Sequence, residues 1–178
     1  ERVPCHNAAF ANGIMAHALD FDDAIHLLHP GSSIVPAALA TAEKVNSSGK
    51  DFLTAVVAGY EVAARIALAV NPWHRKRGYH PTGTVNCFGT AAASAKLLEL
   101  DEDQIAHSFG IAGTQASGLC EFHSEGSMIK PFHAGRAAQS GMMSALLAKE
   151  GFTGDHTIFE GRFGFFKVMS DKYDCTHL

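Results

Sequence analysis

Small and apolar residues recur at intervals of three and four along most of the chain, and that spacing predicts helices broken by short polar stretches. Between residue 4 and about residue 19 the row is Ala8, Ala9, Ala11, Ile14, Met15, Ala18 and Leu19, with Pro4 suited to a first turn. Residues 20–33 read as a loop. A second helix is expected over 34–45, capped by Ser32 or Ser33 and closed by the turn residues Asn46, Ser47, Ser48 and Gly49. A third follows to about residue 70. In it Phe52, Val56 and Tyr60 form one row and Leu53 and Val57 the next, an apolar stripe expected to face the core, and Asn71-Pro72 ends it.

Residues 73–81 are polar and turn-rich. Residues 84–98 are a run of small side chains in which Gly89, Ala91, Ala92, Ala93 and Ala95 permit close helix contact. Asp101 and Gln104 have the spacing of a capping box for a helix from 102 to about 117. After a loop over 118–129, helical spacing returns over 131–149 through Ala134, Ala137, Ala138, Met142, Ala145 and Leu146, and stops at Gly151. The remainder is loop rich in glycine and phenylalanine. No stretch alternates with period two between hairpin turns, and there is no internal repeat, low-complexity tract or dividing linker. The fold class expected is all-α, a bundle-like helical domain with tight helix-on-helix packing.

Composition sharpens this picture. A chain of 178 residues is long enough to bury roughly two thirds of its unfolded surface around one core. The charged share, 18%, is below the usual quarter, so part of the helical surface is expected to be covered by a partner subunit or by further chain. With no initiator methionine and an abrupt end over 173–178, residues 1–178 read as part of a single helical domain cut from a longer polypeptide. Net charge is −4 and the basic residues are scattered except for residues 74–77, which argues against a nucleic-acid partner. No apolar run approaches the roughly 20 residues that cross a bilayer, and the start lacks signal-peptide organisation, so no membrane association is expected. The four cysteines have no CxxC spacing and are read as reduced thiols.

Three polar constellations interrupt the helices. The first, HALDFDDAIHLLHPG, places Asp20, Asp22 and Asp23 ahead of His26 and His29, and Pro30 drives His29 into an extended conformation on a loop. The second, GYHPTGT, treats His80 in the same way through Pro81, with Gly78 and Gly83 allowing close backbone approach. In the third, SMIKPFHAGRAAQSG, Lys130 stands before Pro131, beside a helix N-terminus whose free N–H groups suit carboxylates. Plainer readings exist for each: Asp22 and Asp23 as caps of a chain end, Arg136 as a structural ion-pair partner, Lys130 as a solvated lysine. His26 and His29 with the aspartates form a possible metal set, although they share no helix face.

HALDFDD with a following His-Pro-Gly, then GYHPTGTVNCFGTAAASAKLLELD, GIAGTQASGL, KPFHAGRAAQSG with LLAKEGFTG, and FEGRFGFF together resemble the MmgE/PrpD family in order and spacing, over nearly the whole chain. The resemblance implies a large helical domain that is completed elsewhere by a smaller α/β lid, usually in a homodimer. It implies a lyase or isomerase of small polycarboxylic acids, such as 2-methylcitrate dehydratase, cis-aconitate decarboxylase or an iminodisuccinate epimerase. No cofactor and no metal are expected, and the setting is cytoplasmic, or mitochondrial in a eukaryote. The family's pocket residues fall on Asp20, His29, His80 and Lys130. One departure stands out: Ala24 occupies a place where family members commonly carry threonine.

Those residues suit the chemistry. Lys130 is expected to bind a substrate carboxylate, His80 to be the main acid/base and His29 a second proton donor or carboxylate ligand, with Asp20 orienting a histidine. Dehydration, decarboxylation and epimerisation all require a proton to move at carbon beside a carboxylate. The rival readings are a metal-dependent hydrolase built on His26, His29 and the aspartates, and a non-catalytic helical scaffold or dimerisation fragment.

Overall fold

The computed structural model describes residues 3–178. Among them the architecture is all-α, with no strand and only isolated bridges at Ile25 with Leu28 and Tyr79 with Leu119. Helix α1 is Cys5–Ala16, α2 Gly31–Val45, α3 Gly49–Val70, α4 Trp73–Lys76 and α5 Pro81–Thr84. Then come α6 Asn86–Leu97, α7 Glu102–Gln115, α8 Phe122–Glu125, α9 Ile129–Lys149 and α10 Phe165–Met169.

The sequence rules locate several ends. The Ser48 hydroxyl accepts from the Asp51 amide to start α3, and Asp101 with Gln104 forms a complete capping box on α7. The start of α2 differs from expectation. Neither Ser32 nor Ser33 caps it; both are buried inside a helix that already begins at Gly31. The Gly31 amide instead donates to Asp23 Oδ1 at 3.1 Å, so a residue eight positions back satisfies the helix end.

Helix α6 lies at the centre, in contact with α2, α3, α7 and α9, and only Lys96 of its residues is exposed. Its small side chains let neighbours approach almost backbone to backbone. A Cβ built on Gly59 of α3 would lie 2.7 Å from the Gly89 carbonyl oxygen, and one on Gly89 would lie 2.8 Å from that of Gly59. This contact corrects the expected stripe of α3. Ala55, Gly59, Ala63, Ile66 and Ala67 face the core and Phe52, Val56 and Tyr60 flank it, but Leu53 and Val57 are 62% and 67% exposed. The crossing is too close for large aliphatic side chains, so alanine and glycine take the inner positions.

By length and composition alone α3 could cross a membrane, more than the sequence reading allowed. Its outer face carries the Glu61–Arg65 pair, with Arg65 Nε donating to Glu61 Oε1 at 2.7 Å. The C-terminal segment folds back onto α6, where Phe88 packs edge-on or tilted against Phe159 and Phe165 and against Phe109 of α7. All four cysteines are free thiols. Exposed apolar side chains occur beside the polar constellations, with Leu19 88%, Phe21 97% and Met128 89% exposed.

Candidate active site

The loop between α1 and α2 is shaped to deliver His29. Ile25 and Leu28 exchange backbone hydrogen bonds of 2.9 Å, and the two residues between them, His26 and Leu27, have φ of 47° and 68°. Two successive left-handed residues close a tight reversal, a conformation that costs side-chain-bearing residues roughly 1–3 kcal/mol each. Outside contacts hold it. Asn71 Nδ2 donates to the His26 carbonyl at 2.7 Å, the His29 amide donates to Thr82 Oγ1 at 3.1 Å, and Asn86 Nδ2 donates to the His29 carbonyl at 2.9 Å. His29 is therefore pinned against α5 and α6, next to His80, which immediately precedes α5.

Helix α9 supplies the cation. It begins at Ile129 rather than Pro131, so Lys130 lies within its first turn, and its ammonium makes a direct ion pair with Asp20. His29, His80 and Lys130 line one cleft of about 340 Å³, together with Ala24, Ile25, His26, Leu27, Arg75 and His123. Asp20 reaches this group through Lys130 and stands 3.7 Å from His29 Nε2.

Further residues complete the arrangement. His17 at the end of α1 is buried, with Nδ1 2.9 Å from Asp22 Oδ1, and its ring centroid is 4.7 Å from that of His29. His80 and His133 face each other with Nδ1 to Nδ1 at 3.0 Å, and Phe122 packs edge-on against both rings. Arg75 donates to His123 Nε2 at 2.7 Å, adding a guanidinium to the cleft. His17, Arg75 and His133 went unrecognised in the sequence as site residues. The one signal for His133 was its position three residues after Lys130, on the same face of a helix. Asp22 bonds the site histidine rather than a chain end, whereas Asp23 does cap one. Arg136, read as an ion-pair partner, donates to the Gln139 side-chain oxygen at 2.5 Å.

Burial governs the electrostatics. Loss of solvent pushes His80 down from its ordinary value near 6.5 to about 2, and any positive charge on His133, His17, Lys130 or Arg75 lowers it further. His80 is a neutral imidazole at physiological pH. Burial lowers His17 too, against the opposing pull of Asp22, and lowers His133. Asp20 is held below the usual carboxylate range first by its hydrogen bond from Lys130.

The metal set proposed on His26 and His29 does not form. At this site the groups close enough to share an ion are His17, Asp20, Asp22 and His29, and elsewhere Asp103, His107 and His156; His26 is in neither set. Within the first set the Lys130 ammonium already neutralises Asp20, and His17 Nδ1 is committed to Asp22. His17 Nε2 and His29 Nδ1 are buried without a hydrogen-bond partner, which leaves two ring nitrogens for a bound ligand.

The profile of the MmgE/PrpD N-terminal domain matches residues 1–177. The chain belongs to the MmgE/PrpD family. It is 37% identical to a cis-aconitate decarboxylase-like protein, oryM, of Aspergillus oryzae, over 91% of this chain and 36% of that protein. It is 33% identical to human cis-aconitate decarboxylase over 92% of this chain and 35% of the relative, and 33% identical to the Aspergillus terreus enzyme over 93% and 35%. This MmgE/PrpD chain thus spans about a third of the length of these curated relatives. Ala24 lies on the wall of the cleft.

Proposed function

We propose that the protein containing this chain is a lyase of small polycarboxylic acids, that it works by proton transfer beside a carboxylate, and that decarboxylation of a cis-aconitate-like acid is its first candidate reaction. The observation that carries this reading is the meeting, in one cleft, of two cations, Lys130 and Arg75, with the neutral ring of His80. A di- or tricarboxylate needs fixed positive charge for its carboxylates and an uncharged imidazole for its reacting carbon. The names of the relatives point to decarboxylation in particular.

In this reading Lys130 and Arg75 bind carboxylates, and Asp20 holds Lys130 in place until substrate arrives. His80 Nδ1 is committed to His133, so Nε2 is the atom that meets the substrate. When the carbon–carboxylate bond breaks, its electron pair stays on the substrate carbon and CO₂ leaves. The carbon then takes a proton from His80 Nε2–H. His29, with an unpartnered Nδ1 and Nε2 near Asp20, is the second carboxylate ligand or donor. The missing hydroxyl at Ala24 makes this edge of the cleft less polar than in threonine-bearing relatives, so the preferred acid is expected to differ from theirs in the group placed there. The homodimer and the lid belong to the same reading.

The test is turnover by the full-length protein with cis-aconitate, citrate, methylcitrate and amino- or imino-dicarboxylates, with metal content measured alongside. Lys130→Met should weaken binding of the accepted acid by about ten- to a hundredfold, the loss of a charge-assisted contact of roughly 1.5–3 kcal/mol. If KM and kcat were both unchanged, Lys130 would be a solvated residue and the pocket misassigned. Stoichiometric zinc or manganese required for activity would favour a metal enzyme built on His17, Asp22 and His29 instead.

A further inference from the structure

His80 and His133 stand between two clefts. One is the candidate site, which His80 lines and His133 does not. The other, of about 410 Å³, is lined by His133 with Ser117, Glu121, Phe122, Glu125 and Phe132, and shares no lining residue with the first. Glu121 and Glu125 are exposed, so this second cleft opens to solvent, while His80 and His133 are 4% and 7% exposed. Phe122, itself buried, sits 5.0 Å from the His80 ring and 5.8 Å from the His133 ring, closing the space beside the pair to water. The Nδ1 to Nδ1 contact of 3.0 Å is the polar connection between the clefts.

The fold is built to make that contact. A Cβ on Gly83 of α5 would fall 2.5 Å from the Ser117 carbonyl oxygen and 3.2 Å from the His133 Cβ. Only bare backbone there lets α9 bring His133 up to His80.

We propose that His133 is a positioning residue that backs His80 with a second proton, so that the pair, and not His80 alone, delivers the proton to the substrate carbon. This rests on the reading of His80 as the group that protonates the substrate carbon. Two neutral imidazoles in Nδ1 to Nδ1 contact share one proton, so the direction of that bond sets the tautomer of His80 and decides whether its Nε2 presents a proton or a lone pair. A neutral imidazole that gave up its Nε2 proton unaided would become an imidazolate. His133 removes that barrier. With His133 doubly protonated and His80 carrying its proton on Nε2, Nε2–H passes to the substrate carbanion while His133 Nδ1–H passes to His80 Nδ1. The substrate gains one proton, His80 ends as the neutral Nδ1–H tautomer and His133 as the neutral Nε2–H tautomer, and the negative and positive charges cancel. Once product leaves, His80 Nε2 takes a proton from water in the open first cleft and its Nδ1–H returns to His133 Nδ1, which restores the starting state. Glu121 and Glu125 line the second cleft on the side of His133, where the positive charge is held. The lower exposure of His80 keeps the extra proton on His133, because burial penalises charge more strongly there. The charged and titratable groups around the pair are His17, stacked near His80, then His29, His123, Arg75 and Lys130 in the first cleft, and Glu121 and Glu125 in the second.

The test uses the full-length protein with the acid it turns over. His133→Asn keeps an N–H that can bond His80 Nδ1 but holds no transferable proton. It should lower kcat about a hundredfold with KM nearly unchanged, and remove from the pH–rate profile the fall at high pH that reports loss of the His133 proton. A kcat within about threefold of the parent, with the same pH profile, would overturn the proposal and leave His133 as a packing residue. A second measurement covers failure of the variant to fold. In the ¹⁵N-histidine-labelled parent, one proton should couple the Nδ1 atoms of the two rings, and finding both rings locked as Nε2–H tautomers with no Nδ1 proton would rule the relay out. An active His80→Asn variant would remove the functional reading itself, whereas an inactive His80→Asn beside an active His133→Asn would remove only this inference.

Discussion

His74 and His80 lie six residues apart, both are buried, and burial pushes both well below the ordinary histidine value, to about 4 and about 2. Their surroundings differ in kind. Both ring nitrogens of His74 meet fixed partners. Nδ1–H donates to the Met169 carbonyl at 2.8 Å, and Nε2 accepts the Thr84 hydroxyl at 2.7 Å, with Tyr79 and Phe165 packed on the ring. His80 has one nitrogen on another titratable ring and stands at the wall of an open cleft. A depressed pKa therefore marks burial in both regions and function in neither by itself. Function is marked by what the nitrogens meet. A ring held by two dipoles fastens α10 to α4 and α5, while a ring held on one side leaves the other side free for chemistry.

The comparison breaks most sharply on activity. His80→Asn in the full-length protein should cut kcat by about 10²–10⁴, the usual contribution of a positioned proton-transfer group, with a smaller change in KM. His74→Leu should behave in the opposite way. It leaves the Met169 carbonyl without its donor in the interior, while the Thr84 hydroxyl can still donate to the His80 carbonyl at 3.2 Å, so stability should fall by roughly 1–3 kcal/mol. Its kcat per folded molecule should hold. Urea unfolding and steady-state kinetics on the same preparations decide the matter: if His74→Leu lost turnover without losing stability, the division between fastening and reacting histidines would be wrong.

The fold was legible wherever local chemistry decides it. The capping box of Asp101 and Gln104 and the stop at Asn71-Pro72 appear where the spacing puts them, and Ser48, read only as a turn residue, also caps α3. Three-dimensional proximity overrode the pattern elsewhere. Leu53 and Val57 face outward because the Gly59–Gly89 contact admits only small residues, a fact about two helices that neither helix carries alone. The start of α2 moved because its cap, Asp23, comes from the preceding loop. The site shows the same division. His29, His80 and Lys130 could be picked out because a proline follows each, and the structure brings them to one cleft. His17 and His133 carry no such punctuation, and their partners, Asp22 and His80, are identified only once the chain has folded.

The smallest effect separates the two histidines by pH. In the unfolded chain each takes up a proton near pH 6.5, whereas in the folded protein each stays neutral until far lower, so the unfolded state binds more protons and stability falls as pH falls. Each should contribute its full share above about pH 7.5 and lose about 1.4 kcal/mol between pH 7.5 and 5.5, one ordinary decade of proton binding. His17 and His133, also lowered by burial, act in the same direction. Carboxylates such as Asp20 titrate lower still, so the pH dependence above about pH 5.5 is mainly that of histidines. Below about pH 4 the His74 contribution should level off, because the folded protein then protonates it as well, while that of His80 keeps falling toward pH 2. Unfolding free energies of the parent, His74→Leu and His80→Asn, measured from pH 7.5 to 5.5, should show each variant with a shallower slope by up to one proton. A His80→Asn slope equal to that of the parent would mean that the folded protein protonates His80 as readily as the unfolded chain does. The neutral imidazole on which the proposed proton transfer depends would then be lost.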